Sequence, residues 1–164
     1  MSKAFTKEDS APDAVVVPPR PPLPPGVPNY VTPRGLELLR AERRALEVAR
    51  AALEGMDGTG QAPALTAWAA RMFELEQRLS SAQLVAASGN TGKVVRFGSK
   101  VTVMDHVGRS RQYEIVGVDE ADPANGSIAF LSPLAKALLG TSVGDVVVFE
   151  TPGKTQELEI TAVE

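Results

Sequence analysis

Side chains able to do chemistry are sparse in this chain. Asp119-Glu-Ala-Asp122 follows a strand-like run and offers the oxygen ligands that hard cations prefer, though a solvated acidic loop reads the same way. Glycines 55, 58 and 60 crowd the stretch LEGMDGTGQAPAL (53–65). No Lys-Ser or Lys-Thr follows them, so a phosphate cradle would lack its cation and its hydroxyl. His106 is the only histidine and cysteine is absent, which leaves no second ligand for a zinc site and no partner for a nucleophile. His106 therefore reads as an exposed turn residue. Arg40, Arg43, Arg44 and Arg50 could follow RNA phosphates, but Glu37, Glu42 and Glu47 share their segment and make a balanced, solvated face the simpler reading. Trp68 fits a packing position.

These residues must be held by elements that the spacing defines. The chain has 164 residues, 43% of them hydrophobic, enough for a real core. With no cysteine, no signal-like N-terminus and no long apolar run, it reads as a soluble cytoplasmic monomer that does not enter a membrane. The net charge is −3, and residues 91–164 carry the whole excess, seven bases against ten acids. That balance argues against tight unaided DNA binding, which needs a basic footprint.

Three regions follow. Residues 1–29 hold eight of the thirteen prolines, all between positions 12 and 28, and read as a disordered, proline-rich tail. Residues 30–90 read as an antiparallel coiled-coil arm. Thr32-Pro33 starts a helix, and Leu39, Leu46 and Leu53 recur every seven residues until Gly55 and Gly58 stop it. A second helix is expected from Pro63 to about Ala87, with Leu65, Trp68, Met72, Leu75, Leu79, Ala82 and Ala86 as its seam. The remaining charges, Arg78 among them, should face water.

Residues 91–164 switch to a period of two and read as an antiparallel sheet domain. The expected strands are 93–97, 100–105, 111–119, 127–131, 146–150 and 157–163. Ser132 and Pro133 open one short helix closed by Gly140. The fold class is α+β: a helical hairpin on a small sheet domain, a shape for gripping another molecule rather than for catalysis.

Particular segments go further. NYVTPRGLELLRAE (29–42), RMFELEQRL (71–79), YEIVGVDEAD (113–122), SIAFLSPLAKALLG (127–140) and VGDVVVFETPGKTQELEITAVE (143–164) resemble bacterial GreA/GreB transcript-cleavage factors over residues 30–164. The resemblance implies an FKBP-like sheet domain that docks on RNA polymerase at the rim of its secondary channel. Docking would use Leu131, Ser132 and Pro133, with Leu131 standing where the family often has Asp. The arm would enter the channel and meet nascent RNA and DNA only indirectly.

The family's arm tip carries Gly-Asp-x-x-Glu-Asn, whose carboxylates help hold a Mg²⁺ of the polymerase. Here Gln61 falls near the Glu position and Gly58 near the Asp position, and the arm is about two turns shorter. Glu54 and Asp57 are the acids left to assist that shared metal; the chain would bring no metal or cofactor of its own. The expectation is a Gre-like elongation factor that is not itself an enzyme, either stimulating transcript cleavage or competing as a cleavage-deficient regulator. Peptidyl-prolyl isomerisation and an adaptor role for the proline-rich tail are the other readings.

Overall fold

The computed structural model describes residues 19–86 and 94–164. The expected linker at 88–92 and residues 1–18 of the tail lie outside them. Strand β1 (Asn29–Val31) leads into helix α1 (Pro33–Glu54); helix α2 (Gln61–Ser81) returns into strand β2 (Ala82–Leu84). The sheet domain then adds β3 (Lys100–Asp105), β4 (Ser110–Val116), β5 (Ser127–Ala129), helix α3 (Pro133–Leu138), β6 (Val146–Thr151) and β7 (Lys154–Val163).

Helix α1 spans the expected residues for the expected reason. The Thr32 hydroxyl accepts from the Gly35 N–H, and Pro33 occupies the first helical position, where its missing donor costs nothing. Helix α2 starts two residues before Pro63 and stops at Ser81, six short of the expected end. The reason is tertiary: Ala82–Leu84 pair in parallel with Asn29–Val31, and the Asn29 side-chain amide donates to the Arg78 carbonyl at 2.9 Å in the last helical turn. A backbone pairing with a committed partner outweighs intrinsic propensity, which tertiary context overrides even where alanine favours the helix. Ala86, assigned to that seam, is exposed and outside the helix.

The two helices pack on each other unevenly. Leu39 and Leu75 are fully buried at the root, joined by Val31, with Leu36, Leu46, Leu79 and Ala82 half-buried around them. Toward the tip the seam is thinner. Trp68 is half-buried there, its indole N–H donating to the Leu46 carbonyl at 2.7 Å while the Arg50 guanidinium lies 5.1 Å from its ring centre. Outward charges pair with one another, Arg43 with Glu47 and Glu76, and Arg40 and Arg44 with Glu37, as expected of a balanced face.

The sheet order is β5-β4-β3-β7-β6. Its pairings are antiparallel except at one edge, where β5 runs parallel to β4, so the expected antiparallel sheet is mixed. Residues 117–126 carry the chain over that crossing. A register shift between Thr102 and Val103 against β7 adds local twist and curls the sheet. Val101, Val103, Ile115, Leu158 and Ile160 line the inner face under Ala135 and Leu138 of α3. Residues 94–97, expected as a strand, are not one: Val94 makes a single bridge to Ser142, and Val95 exchanges backbone hydrogen bonds with Gly140 and Thr141. Phe97 turns instead into an aromatic trio with Tyr30 and Phe130, centroids 5.6–5.7 Å apart.

Tyr30 belongs to the arm's entry strand, so the trio already ties arm to base. Gly117 lets them approach closely: a Cβ there would stand 2.5 Å from the Tyr30 carbonyl oxygen, a backbone atom that cannot step aside. Gly117→Ala should therefore destabilise the protein by roughly 1–3 kcal/mol, the usual cost of forcing extra volume into a packed contact. Urea unfolding checks this, and an unchanged midpoint would contradict the close approach.

Candidate functional site

Two places hold the chemistry, the arm tip and the arm's root. At the tip, Glu54 ends α1 and its carboxylate accepts from Arg50 Nε at 2.8 Å. Asp57 lies in the exposed loop that follows, with no ion pair among the described residues. The pair expected to act together is thus divided: one acid is engaged by an arginine a helical turn away, and the other has no such partner among the described residues. Gln61 opens α2 and reaches back across the loop. Its amide nitrogen donates to the carbonyls of Leu53 and Glu54, at 3.1 and 3.2 Å, satisfying two of the acceptors that a helix C-terminus leaves open. A glutamate at this position could not do so, since a carboxylate has nothing to donate. Among the described residues no three of His, Asp and Glu cluster as metal ligands.

At the root, Asp119 and Glu120 overturn the solvated-loop reading. The Asp119 side chain is 12% exposed, and Glu120 is buried. The Thr32 hydroxyl donates to Glu120 while accepting from Gly35, so a carboxylate of the base sits at the N-terminus of α1, where the helix dipole favours negative charge. Gly35 leaves room for the carboxylate in this position: a Cβ there would lie 2.6 Å from Glu120 Oε2. Asp119 takes a hydrogen bond from Arg20 and lies 3.5 Å from Arg78 Nε. Arg78, expected on the wet face, is buried.

Arg20 is the residue that composition missed. Of residues 19–28, assigned to the disordered tail, positions 20–24 and Val27 lie against the arm or the base instead. The Arg20 side chain is 8% exposed and forks between Asp119 of the base and Glu42 of α1, at 2.6 Å from the latter, while its backbone N–H donates to Glu74 of α2 at 3.1 Å. Burial opposes its charge, but the hydrogen bond it donates to Glu42 and the field of Asp119 outweigh it, so its pKa is raised. Arg78 in turn donates to the Pro21 carbonyl. One signal was in the sequence: a lone arginine among prolines is a charge delivered on a stiff, low-entropy segment.

The docking residues are placed as a compact turn. The Ser132 hydroxyl accepts from the Ala135 N–H at 3.2 Å, Pro133 begins α3 exposed, and Leu131 packs half-buried on the core beside Val118 and the Pro21–Pro24 segment. His106 lies in the β3–β4 turn. That turn is held by Asp105, which accepts from the backbone of Arg109 and Val107; the Arg109 hydrogen bond leads the effects that lower its carboxyl pKa.

A helical hairpin bonded onto a curled mixed sheet therefore positions both places. The family model for the C-terminal domain of transcription elongation factor GreA/GreB matches residues 90–164. Transcription elongation factor GreA of Caulobacter sp. (strain K31) is 41% identical over 95 residues, 57% of this chain and 60% of that protein. GreA of Legionella pneumophila (strain Corby) is 47% identical over 98 residues, with the same coverage. Among solved structures, GreA factor homolog 1 of Thermus thermophilus is 30% identical and covers 84% of this chain and 99% of its own, at a TM-score of 0.41. The sheet domain belongs to the GreA/GreB family, whose C-terminal model matches residues 90–164. The alignments span about three fifths of the curated relatives.

The tip geometry yields a direct expectation. Gln61→Glu removes the donor that spans the loop and sets a carboxylate against two carbonyls. It should cost the arm about 1 kcal/mol or more, the worth of the lost hydrogen bonds plus the exposed acceptors. Amide hydrogen exchange over residues 53–61 should quicken several-fold; unchanged protection would contradict the bridge.

Proposed function

We propose that this chain acts on RNA polymerase as a Gre-like elongation factor. The base, through Leu131, Ser132 and Pro133, docks at the rim of the secondary channel, and the arm points into it. The observation that carries this reading is the junction. A family-matched base grips the hairpin by Glu120 at the start of α1 and by Asp119 beside its root, so the arm is presented in one direction. Its reach is modest: at 22 residues, α1 is about 33 Å long at ~1.5 Å per residue.

The protein then contributes shape and charge, and any hydrolysis of RNA belongs to the polymerase and its Mg²⁺. Hard cations take oxygen ligands, and two-metal sites hold attacking and leaving oxygens together. Of Glu54, Asp57 and Gln61, only Asp57 has no partner among the described residues; Glu54 is held by Arg50, and Gln61 is spent on the helix end. That division favours the second form of the proposal: a cleavage-deficient Gre-like competitor that occupies the channel without completing the metal site. A prolyl isomerase remains the enzyme alternative, distinguished by a peptide isomerisation assay.

Backtracked elongation complexes decide between the forms. The chain alone should leave backtracked RNA uncut, and in excess it should slow cleavage by an active Gre factor several-fold. Cleavage by the chain alone, abolished in Glu54→Ala/Asp57→Ala, would show a working stimulator. No effect on either reaction, with no binding to polymerase, would sink the proposal.

A further inference from the structure

We propose that Arg20 is a positioning residue: with Pro21–Pro24 it forms a strap that clamps the arm to the base and sets the arm's direction. The strap touches every part whose relative placement matters. Arg20 holds α1 through Glu42, α2 through Glu74 and the base through Asp119; Arg78 closes the loop by pairing with Asp119 and donating to the Pro21 carbonyl. Glu42 also binds Arg71 at 2.7 Å, so both helices share the acid that Arg20 holds.

The energetics point to geometry rather than stability as the purpose. Taking ions out of water costs several kcal/mol each, and the gain from pairing them returns little more than that. Here the return is incomplete: among the described residues, Arg20 Nε, Asp119 Oδ2 and Glu120 Oε1 are buried without a hydrogen-bond partner. Apolar residues of similar size would hold the root at least as firmly. What they would lack is direction. A guanidinium forked between two carboxylates fixes distance and angle together, whereas an apolar contact slides. The polyproline segment suits this role, because little freedom is left to lose when it is laid down. It also runs beside Leu131, so the strap ends at the proposed docking turn.

The consequence for polymerase rests on the function proposed above, but the positioning itself does not, and its test needs no polymerase. The chain lacks cysteine, so Met56→Cys at the exposed tip and Lys154→Cys on the base give two unique sites for spin labels. Double electron–electron resonance should find one narrow tip-to-base distance in this parent. Arg20→Ala should widen that distribution at least twofold or split it, with far-UV helicity and base melting retained. Arg20→Lys should fall between, since one ammonium cannot fork to Glu42 and Asp119 as a guanidinium does. A distribution as narrow in Arg20→Ala as in the parent would overturn the proposal. If Arg20→Ala does not fold, Asp119→Asn decides in the same way: broadening supports the clamp, and an unchanged width refutes it. A parent that positions its arm yet has no effect on elongation complexes would refute the function and leave the clamp standing.

Discussion

The structure depends on two neighbouring carboxylates. Asp119 and Glu120 leave the sheet domain from the segment after β4 and grip different parts of the arm, Glu120 the start of α1 and Asp119 the arginines beside its root. They add directed contacts to an apolar junction in which Val27 and Tyr30 pack on the core of the base. Acids can be buried in this way only if each meets a donor at once. The surrounding residues are chosen to permit that. Gly35 clears space for the carboxylate, Thr32 supplies a hydroxyl while capping its own helix, and Gly117 lets Tyr30 settle against the base.

Elements whose signal is local were legible. Thr32-Pro33 and Ser132-Pro133 each combine a cap with a preset φ, and both helices begin where those pairs stand. Alternation marked β3 to the residue, because one face is buried under α3 and the other is not. What failed was decided by distant partners. The end of α2 is set by β1, some fifty residues earlier. Val94 and Val95 are claimed by 140–142, and β5 joins its neighbour in parallel because of a crossing that no local pattern announces.

The acids show the same limit. Asp119-Glu-Ala-Asp122 looks like a wet loop because acidic clusters usually are, and only Asp122 is exposed. The partners that bury its companions come from residues 20, 32 and 78. Composition also hid Arg20, since a proline-rich segment without hydrophobic periodicity gives no sign of what it lies against. At the tip, by contrast, the missing carboxylates could be counted along the chain. The use made of Gln61 could not, since it follows from which carbonyls the closed loop brings within reach.

The uneven seam of the hairpin has a mechanical meaning. Leu39 and Leu75 are wholly enclosed near the base, whereas Leu46, Leu53, Leu65 and Trp68 further out remain partly open. Bending stiffness therefore falls along the rod's length, with the clamped end rigid and the free end compliant. A hairpin built this way keeps its aim while its point yields, as the taper of a fishing rod does.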